Sequence, residues 1–124
     1  MEILCISSRA ALWEGLRPCM EARKYRLTVV PELEDGLRRL RNAPPALVVL
    51  DMAEAATAAI RAAVIEVLKI NAMIHCTAVS GLSEKAFHDS MEGLGMPMGL
   101  PDPPGRQDVE KLMDALAALG AGKA

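Results

Sequence analysis

Residues 47–51 read LVVLD, in which four aliphatic residues precede a single carboxylate. Leucine and valine without polar alternation are typical of a strand that is buried on both faces, as strands in parallel sheets are. A polar residue that follows such a strand lies at the carboxyl edge of the sheet, where ligand sites form in open α/β folds. We therefore predict a strand over 47–50 and a site residue at Asp51.

Other short apolar segments occur on both sides of this strand, and they predict strands at 3–6, 27–30, 73–79 and 96–100. After each of the five strands, apolar residues recur every three or four positions, which is typical of amphipathic helices. Ser7 and Ser8 are expected to end the first strand and to cap the helix that follows, and Ser83 is the expected N-cap of the fourth helix. Because Pro18 lies inside the first helix, it should kink or shorten that helix. Pro97 and Gly99 make the fifth strand the weakest.

Five strands that alternate strictly with five helices predict an α/β fold of the flavodoxin-like (βα)5 type. This is a three-layer sandwich around a parallel sheet of order 2-1-3-4-5. The chain has 124 residues, enough for one domain, which we place at 1–120 with a C-terminal tail at 121–124. Hydrophobic residues make up 52% of the chain, but no apolar stretch approaches the roughly 20 residues of a membrane span.

The composition also narrows the classes of function. A net charge of −2 and one residue each of Trp, Tyr and Phe offer little attraction for phosphates and few stacking surfaces, so we expect no direct binding of nucleic acid. Three widely spaced cysteines predict reduced thiols and, with no visible secretory signal, a cytoplasmic protein. His75 and His88 do not form a zinc-binding spacing with the cysteines, and we predict no metal site.

The residues at the predicted strand ends are the candidate site. They are Ser7 and Ser8 after the first strand, Asp51 after the third, Ser80 after the fourth and Asp102 after the fifth. Because parallel strands end at the same edge of a sheet, we expect these side chains to approach one another there.

This set resembles the receiver domain of bacterial two-component response regulators, the CheY-like family, over the whole chain. The strand that ends in Asp51 resembles the family's phosphoacceptor strand, and the stretch Leu100-Pro101-Asp102-Pro103 resembles its loop of aliphatic residues, lysine and proline. The resemblance implies that a histidine kinase transfers a phosphoryl group to Asp51 with the help of Mg²⁺, after which the domain changes shape. It also implies a cis bond between Asp102 and Pro103.

Several groups that this chemistry needs are replaced here. Ser7 and Ser8 stand where the family has two metal-binding acids, Asp102 stands in place of the lysine, and Gly99 stands in place of an aromatic switch residue. Serine hydroxyls bring no charge for Mg²⁺, and a phosphoryl group beside Asp102 would meet a like charge. If Asp51 and Asp102 are close, each carboxylate should raise the pKa of the other.

We therefore predict an atypical, degenerate receiver domain that acts in signal transduction by protein–protein contact, without enzymatic activity and without a cofactor. Its partner would be a kinase, an effector domain or a second copy of the chain. The alternative is a functional phosphorelay receiver that is phosphorylated on Asp51 with Mg²⁺. A nucleotide or small-molecule site is disfavoured, because Ser7, Ser8 and Arg9 stand where a glycine-rich phosphate loop would follow the first strand.

The basic run Arg38, Arg39 and Arg41 allows two interpretations. The simpler one is a solvated helix face, and the other is a docking patch for an acidic partner.

Overall fold

The computed structural model describes residues 1–52 and 55–119. The predicted tail at 121–124 therefore lies outside the described residues. Strands and helices alternate along this part of the chain as β1 (Glu2–Ser7), α1 (Ala10–Glu21), β2 (Arg26–Val30), α2 (Leu33–Asn42), β3 (Leu47–Asp51), α3 (Thr57–Ile70), β4 (His75–Ala78), α4 (Glu84–Ser90) and α5 (Arg106–Ala118).

The strands form one parallel sheet of order β2-β1-β3-β4. All five residues of β3 are buried, as the sequence of this strand predicts. The register between β1 and β3 places Ser7 beside Asp51. The carboxyl edge of the sheet thus brings two of the predicted site residues together through backbone pairing alone.

The predicted fifth strand at 96–100 is wrong, and the described part of the sheet has the order 2-1-3-4 with four strands. The segment reaches β4 through an isolated bridge between Val79 and Leu100. The side-chain hydroxyl of Thr77 donates to the backbone oxygen of Met98, a bond that is not part of a ladder. A Cβ at Gly99 would lie 2.8 Å from the ring of Phe87, so this ring fills the space that a strand side chain would occupy.

Two details at the helix ends differ from what the sequence predicts. Of the two effects expected from Pro18, a kink or a shorter helix, the shortening does not occur, because α1 continues to Glu21. Neither serine caps α1: its N-cap residue is Arg9, which makes no side-chain capping bond. The predicted cap of the fourth helix is confirmed, since the side chain of Ser83 accepts from the backbone N–H of Ala86 at 3.1 Å.

Two apolar clusters lie on opposite faces of the sheet and confirm the three-layer arrangement. One packs β1, β2 and β3 against α1 and α5 and contains the fully buried Trp13. The other packs the sheet against α2, α3 and α4 and contains Phe87. None of the described helices is long and apolar enough to cross a membrane.

The three cysteines, Cys5, Cys19 and Cys76, are buried free thiols, as predicted. Burial raises the pKa of Cys76 to about 12 and also raises the pKa of Cys5. Thiols that stay protonated are poor nucleophiles, so these residues serve the core.

Candidate functional site

The candidate site lies where β1 and β3 end, and the carboxylate of Asp51 is its centre. The side chain of Asp51 has no exposed surface and accepts four hydrogen bonds. Its Oδ2 accepts from Ser7 Oγ at 2.6 Å, from Trp13 Nε1 at 2.8 Å and from Arg9 Nε at 3.0 Å. Its Oδ1 accepts from Arg9 Nη2 at 2.6 Å. The buried charge is therefore fully hydrogen-bonded, as a stable buried carboxylate requires.

Arg9 joins the two acids of the site. Its guanidinium group binds Asp51 through two parallel bonds, and its Nη1 donates to Asp102 Oδ1 at 3.0 Å. The planar fork of arginine suits such a two-pronged contact with a carboxylate. The side chain of Arg9 is 36% exposed, so this cation closes the pocket from the solvent side.

For Asp51, the prediction that Asp102 raises its pKa is wrong, because Arg9 lies between the two acids. Burial alone would raise the pKa of Asp51, but hydrogen bonds from Arg9, Ser7 and Trp13 and the charge of Arg9 together outweigh burial and lower it. The guanidinium also compensates the negative charge that the sequence predicts beside Asp51. Asp51 and Asp102 thus share the cation of Arg9, which lies between β1 and α1.

The start of α1 explains how the chain builds this network. Ser7 Oγ accepts from the backbone N–H of Arg9 at 2.9 Å, which holds the turn between β1 and α1. Trp13 follows Arg9 by four residues, so both side chains lie on the same side of the helix. Neither Arg9 nor Trp13 is among the predicted site residues, because in the sequence Arg9 stands out only as a departure from a glycine-rich loop. A cation and an indole donor four residues apart, directly after a strand, are the signal that could have identified them.

The structure brings three of the five predicted site residues together, namely Ser7, Asp51 and Asp102. Ser8 is exposed and makes no side-chain hydrogen bond within the described ranges. Ser80 is buried, and its Oγ accepts from the backbone N–H of Leu82 at 3.0 Å; no hydrogen bond in the described chain joins it to Asp51. The bond between Asp102 and Pro103 is cis, as the resemblance implies.

The residues of this pocket do not fit Mg²⁺. The ion prefers an octahedral shell of oxygens, whereas both oxygens of Asp51 are already occupied by donors. A divalent ion between Asp51 and Asp102 would also have to displace the guanidinium of Arg9. Across residues 1–52 and 55–119, no group of three or more His, Cys, Asp or Glu side chains is placed to hold a metal ion.

Comparison with known proteins identifies the fold. No protein-family model matches the sequence, and no curated protein is significantly similar to it. An orphan response regulator of H. pylori superposes with a TM-score of 0.77 and 15% identity, over 94% of this chain and 96% of that chain. A CheY-like receiver domain protein from Methanospirillum hungatei gives a TM-score of 0.73 and 16% identity, over 94% of both chains.

A third solved structure, the CheY-like protein TadZ from Pseudomonas aeruginosa, gives a TM-score of 0.72 and 11% identity, over 100% of this chain and 95% of that chain. All three likenesses cover nearly the whole chain at low identity. The chain therefore has the fold of CheY-like receiver domains, which confirms the resemblance that the strand ends indicate.

Proposed function

We propose that the chain is a degenerate receiver domain that acts in signal transduction by contact with other proteins, without Mg²⁺-dependent phosphorylation of Asp51. The observation that carries this proposal is the guanidinium of Arg9, which lies within 3.0 Å of both Asp51 and Asp102. The guanidinium group lies between Asp51 and Asp102 (the acid pocket) and supplies a cation that belongs to the chain itself.

Phosphorylation would require a carboxylate oxygen of Asp51 that is open to an incoming phosphoryl group. Here the Asp51 side chain is completely buried, and Ser7, Arg9 and Trp13 donate to its oxygens. An acyl phosphate at this position would break several charge-assisted hydrogen bonds, which are about twice as strong as neutral ones. The chain has no lysine at the adjacent loop to compensate, because Asp102 stands there.

Contacts elsewhere in the fold support a single conformation. Arg61 of α3 donates to the backbone oxygens of Ser90 and Glu92, at 2.9 and 3.2 Å, so a cation holds the C-terminal end of α4. The ring of Phe87 occupies the space beside Gly99, where the receiver family has its aromatic switch residue. A domain fixed in this way would present the same surface to its partner at all times.

Incubation with acetyl phosphate and Mg²⁺, followed by intact mass measurement, tests the proposal. We expect the wild-type chain to remain unmodified, while an active receiver domain in the same reaction gains one phosphoryl group. Trp13 is the single tryptophan, so its fluorescence should also stay unchanged when Mg²⁺ is added. A phosphoryl adduct that disappears in Asp51→Asn would instead establish the phosphorelay alternative.

A further inference from the structure

Strand β2 forms one outer edge of the sheet. The N–H of Arg26 points toward β1, since it donates to the backbone oxygen of Met1 at 2.8 Å. Backbone groups alternate in direction along a strand, so those of Leu27 and Val29 point away from the sheet. An edge with outward N–H and C=O groups can pair with a further strand.

The side chain of Arg17 covers part of this edge. Arg17 of α1 donates from Nη1 to the backbone oxygen of Leu27 at 2.6 Å. Glu14 holds the same guanidinium through two bonds, from Nε at 2.7 Å and from Nη2 at 2.6 Å. Arg17 therefore occupies an acceptor that an incoming strand would need, and it places a charge at the edge, a common way of preventing edge pairing.

We propose that the β2 edge is a surface for homodimerisation, at which a second copy of the chain pairs antiparallel with β2 when Arg17 leaves the oxygen of Leu27. A two-fold axis through Thr28 places Leu27 opposite the partner's Val29, and Val29 opposite the partner's Leu27. Each of these pairs joins outward backbone groups and exchanges two hydrogen bonds. Thr28, which is half-buried, meets the partner's Thr28 in a favourable cross-strand pair.

Charge at the two ends of β2 favours a second copy over an unrelated strand. The exposed cation Arg26 begins the strand and Lys24 lies in the turn before it, whereas the exposed acids Glu32 and Glu34 lie beyond its end. Antiparallel pairing brings the basic end of each copy near the acidic end of the other, and so brings Lys24 toward the partner's Glu32. The surface does not involve Arg9 or Asp51, so this proposal can fail without affecting the proposed function.

Sedimentation equilibrium of Arg17→Met tests the proposal. Methionine keeps an unbranched apolar stem but cannot donate to Leu27, so we expect the dimer dissociation constant to fall about tenfold below that of the wild type. Arg38→Met is the matched control, because Arg38 also pairs with an acid three residues away but lies on α2, and it should leave association unchanged. Adding Val29→Pro to Arg17→Met removes an outward N–H that the sheet itself does not use and should reverse the gain.

Equal dissociation constants for Arg17→Met and the wild type, or equal association of Arg17→Met with and without Val29→Pro, would overturn the proposal. If Arg17→Met does not fold, Lys24→Glu tests the proposal in a chain that keeps Arg17. We expect Lys24→Glu to weaken wild-type association and the exchange Lys24→Glu/Glu32→Lys to restore it. Identical behaviour of these two variants would contradict antiparallel pairing at this edge.

Discussion

The acid pocket at the end of β3 and the segment 96–100 beside β4 both depart from the receiver pattern, but with opposite results. In the pocket, Ser7 and Ser8 stand where the receiver family has metal-binding acids, yet Asp51 remains buried and fully hydrogen-bonded, because Ser7, Arg9 and Trp13 donate to it. Beside β4, the fifth strand is reduced to one bridge at Leu100. In the pocket a new side-chain donor replaces a lost ligand, whereas beside β4 the bond from Thr77 Oγ1 to the backbone oxygen of Met98 does not restore a ladder.

The largest effect is expected from removing the cation of the pocket. Arg9→Met leaves the buried carboxylate of Asp51 without two of its four hydrogen bonds, and breaking a buried pair in this way should cost about 3 kcal/mol of unfolding free energy. Urea denaturation followed by Trp13 fluorescence measures the loss. Lys85→Met, which breaks the highly exposed pair of Lys85 with Asp89, is the control and should cost less than about 0.5 kcal/mol. A loss for Arg9→Met no larger than that of the control would show that Arg9 does not stabilise Asp51.

The two regions also differ in how much of their structure the sequence predicts. Aliphatic runs such as 47–50 predict β3 and its neighbours correctly, because burial on both faces leaves a direct mark on composition. Backbone register then brings Ser7 to Asp51, as expected from strand ends. The role of Arg9 was not predictable in the same way, since a long side chain on a neighbouring turn can reach several places. Its hydrogen bonds to Asp51 and Asp102 fix one of them.

The prediction of a fifth strand is wrong because a contact between distant residues, and not local sequence, decides the structure at 96–100. Its residues are apolar enough for an edge strand, but Gly99 leaves a space that Phe87 of α4 fills. Contacts between residues that are distant in sequence decided the outcome at this position, and local propensity does not contain them.

Substitution at Gly99 tests the second region. A Cβ at this position would lie 2.8 Å from Cδ2 and Cε2 of Phe87, so Gly99→Ala should displace the ring and cost about 1–3 kcal/mol. Gly81→Ala is the matched control, because no heavy atom lies within 4 Å of a Cβ there, and its effect should stay within about 0.5 kcal/mol. Equal stability of the two variants, measured by thermal or urea unfolding, would mean that Phe87 does not depend on the space at Gly99.

Acidification should weaken the contribution of Asp51 to stability only at low pH. Because the folded state lowers the pKa of Asp51, this group contributes stability that is fully present above the unfolded aspartate pKa of about 3.9 and is lost as the pH falls through the lower folded pKa. The stability advantage of the wild type over Asp51→Asn should therefore shrink below about pH 4. Glu14, whose pKa is also lowered, contributes equally to both proteins and cancels in the difference. An advantage that grows on acidification would require a raised pKa for Asp51.

The smallest expected effect is a difference in hydrogen-exchange rate between two backbone amides near β4, those of Val79 and Leu100. The N–H of Val79 donates to Leu50 at 2.9 Å, and the N–H of Leu100 donates to Ala78 at 3.0 Å. Val79 and Leu100 are both buried, so neither bond length nor burial separates them. The bond of Leu100, however, belongs to an isolated bridge, which can open without disturbing the sheet. Native-state hydrogen exchange should therefore be about tenfold or more faster at Leu100 than at Val79, and equal rates would show that one bridge holds this segment as firmly as a full ladder would.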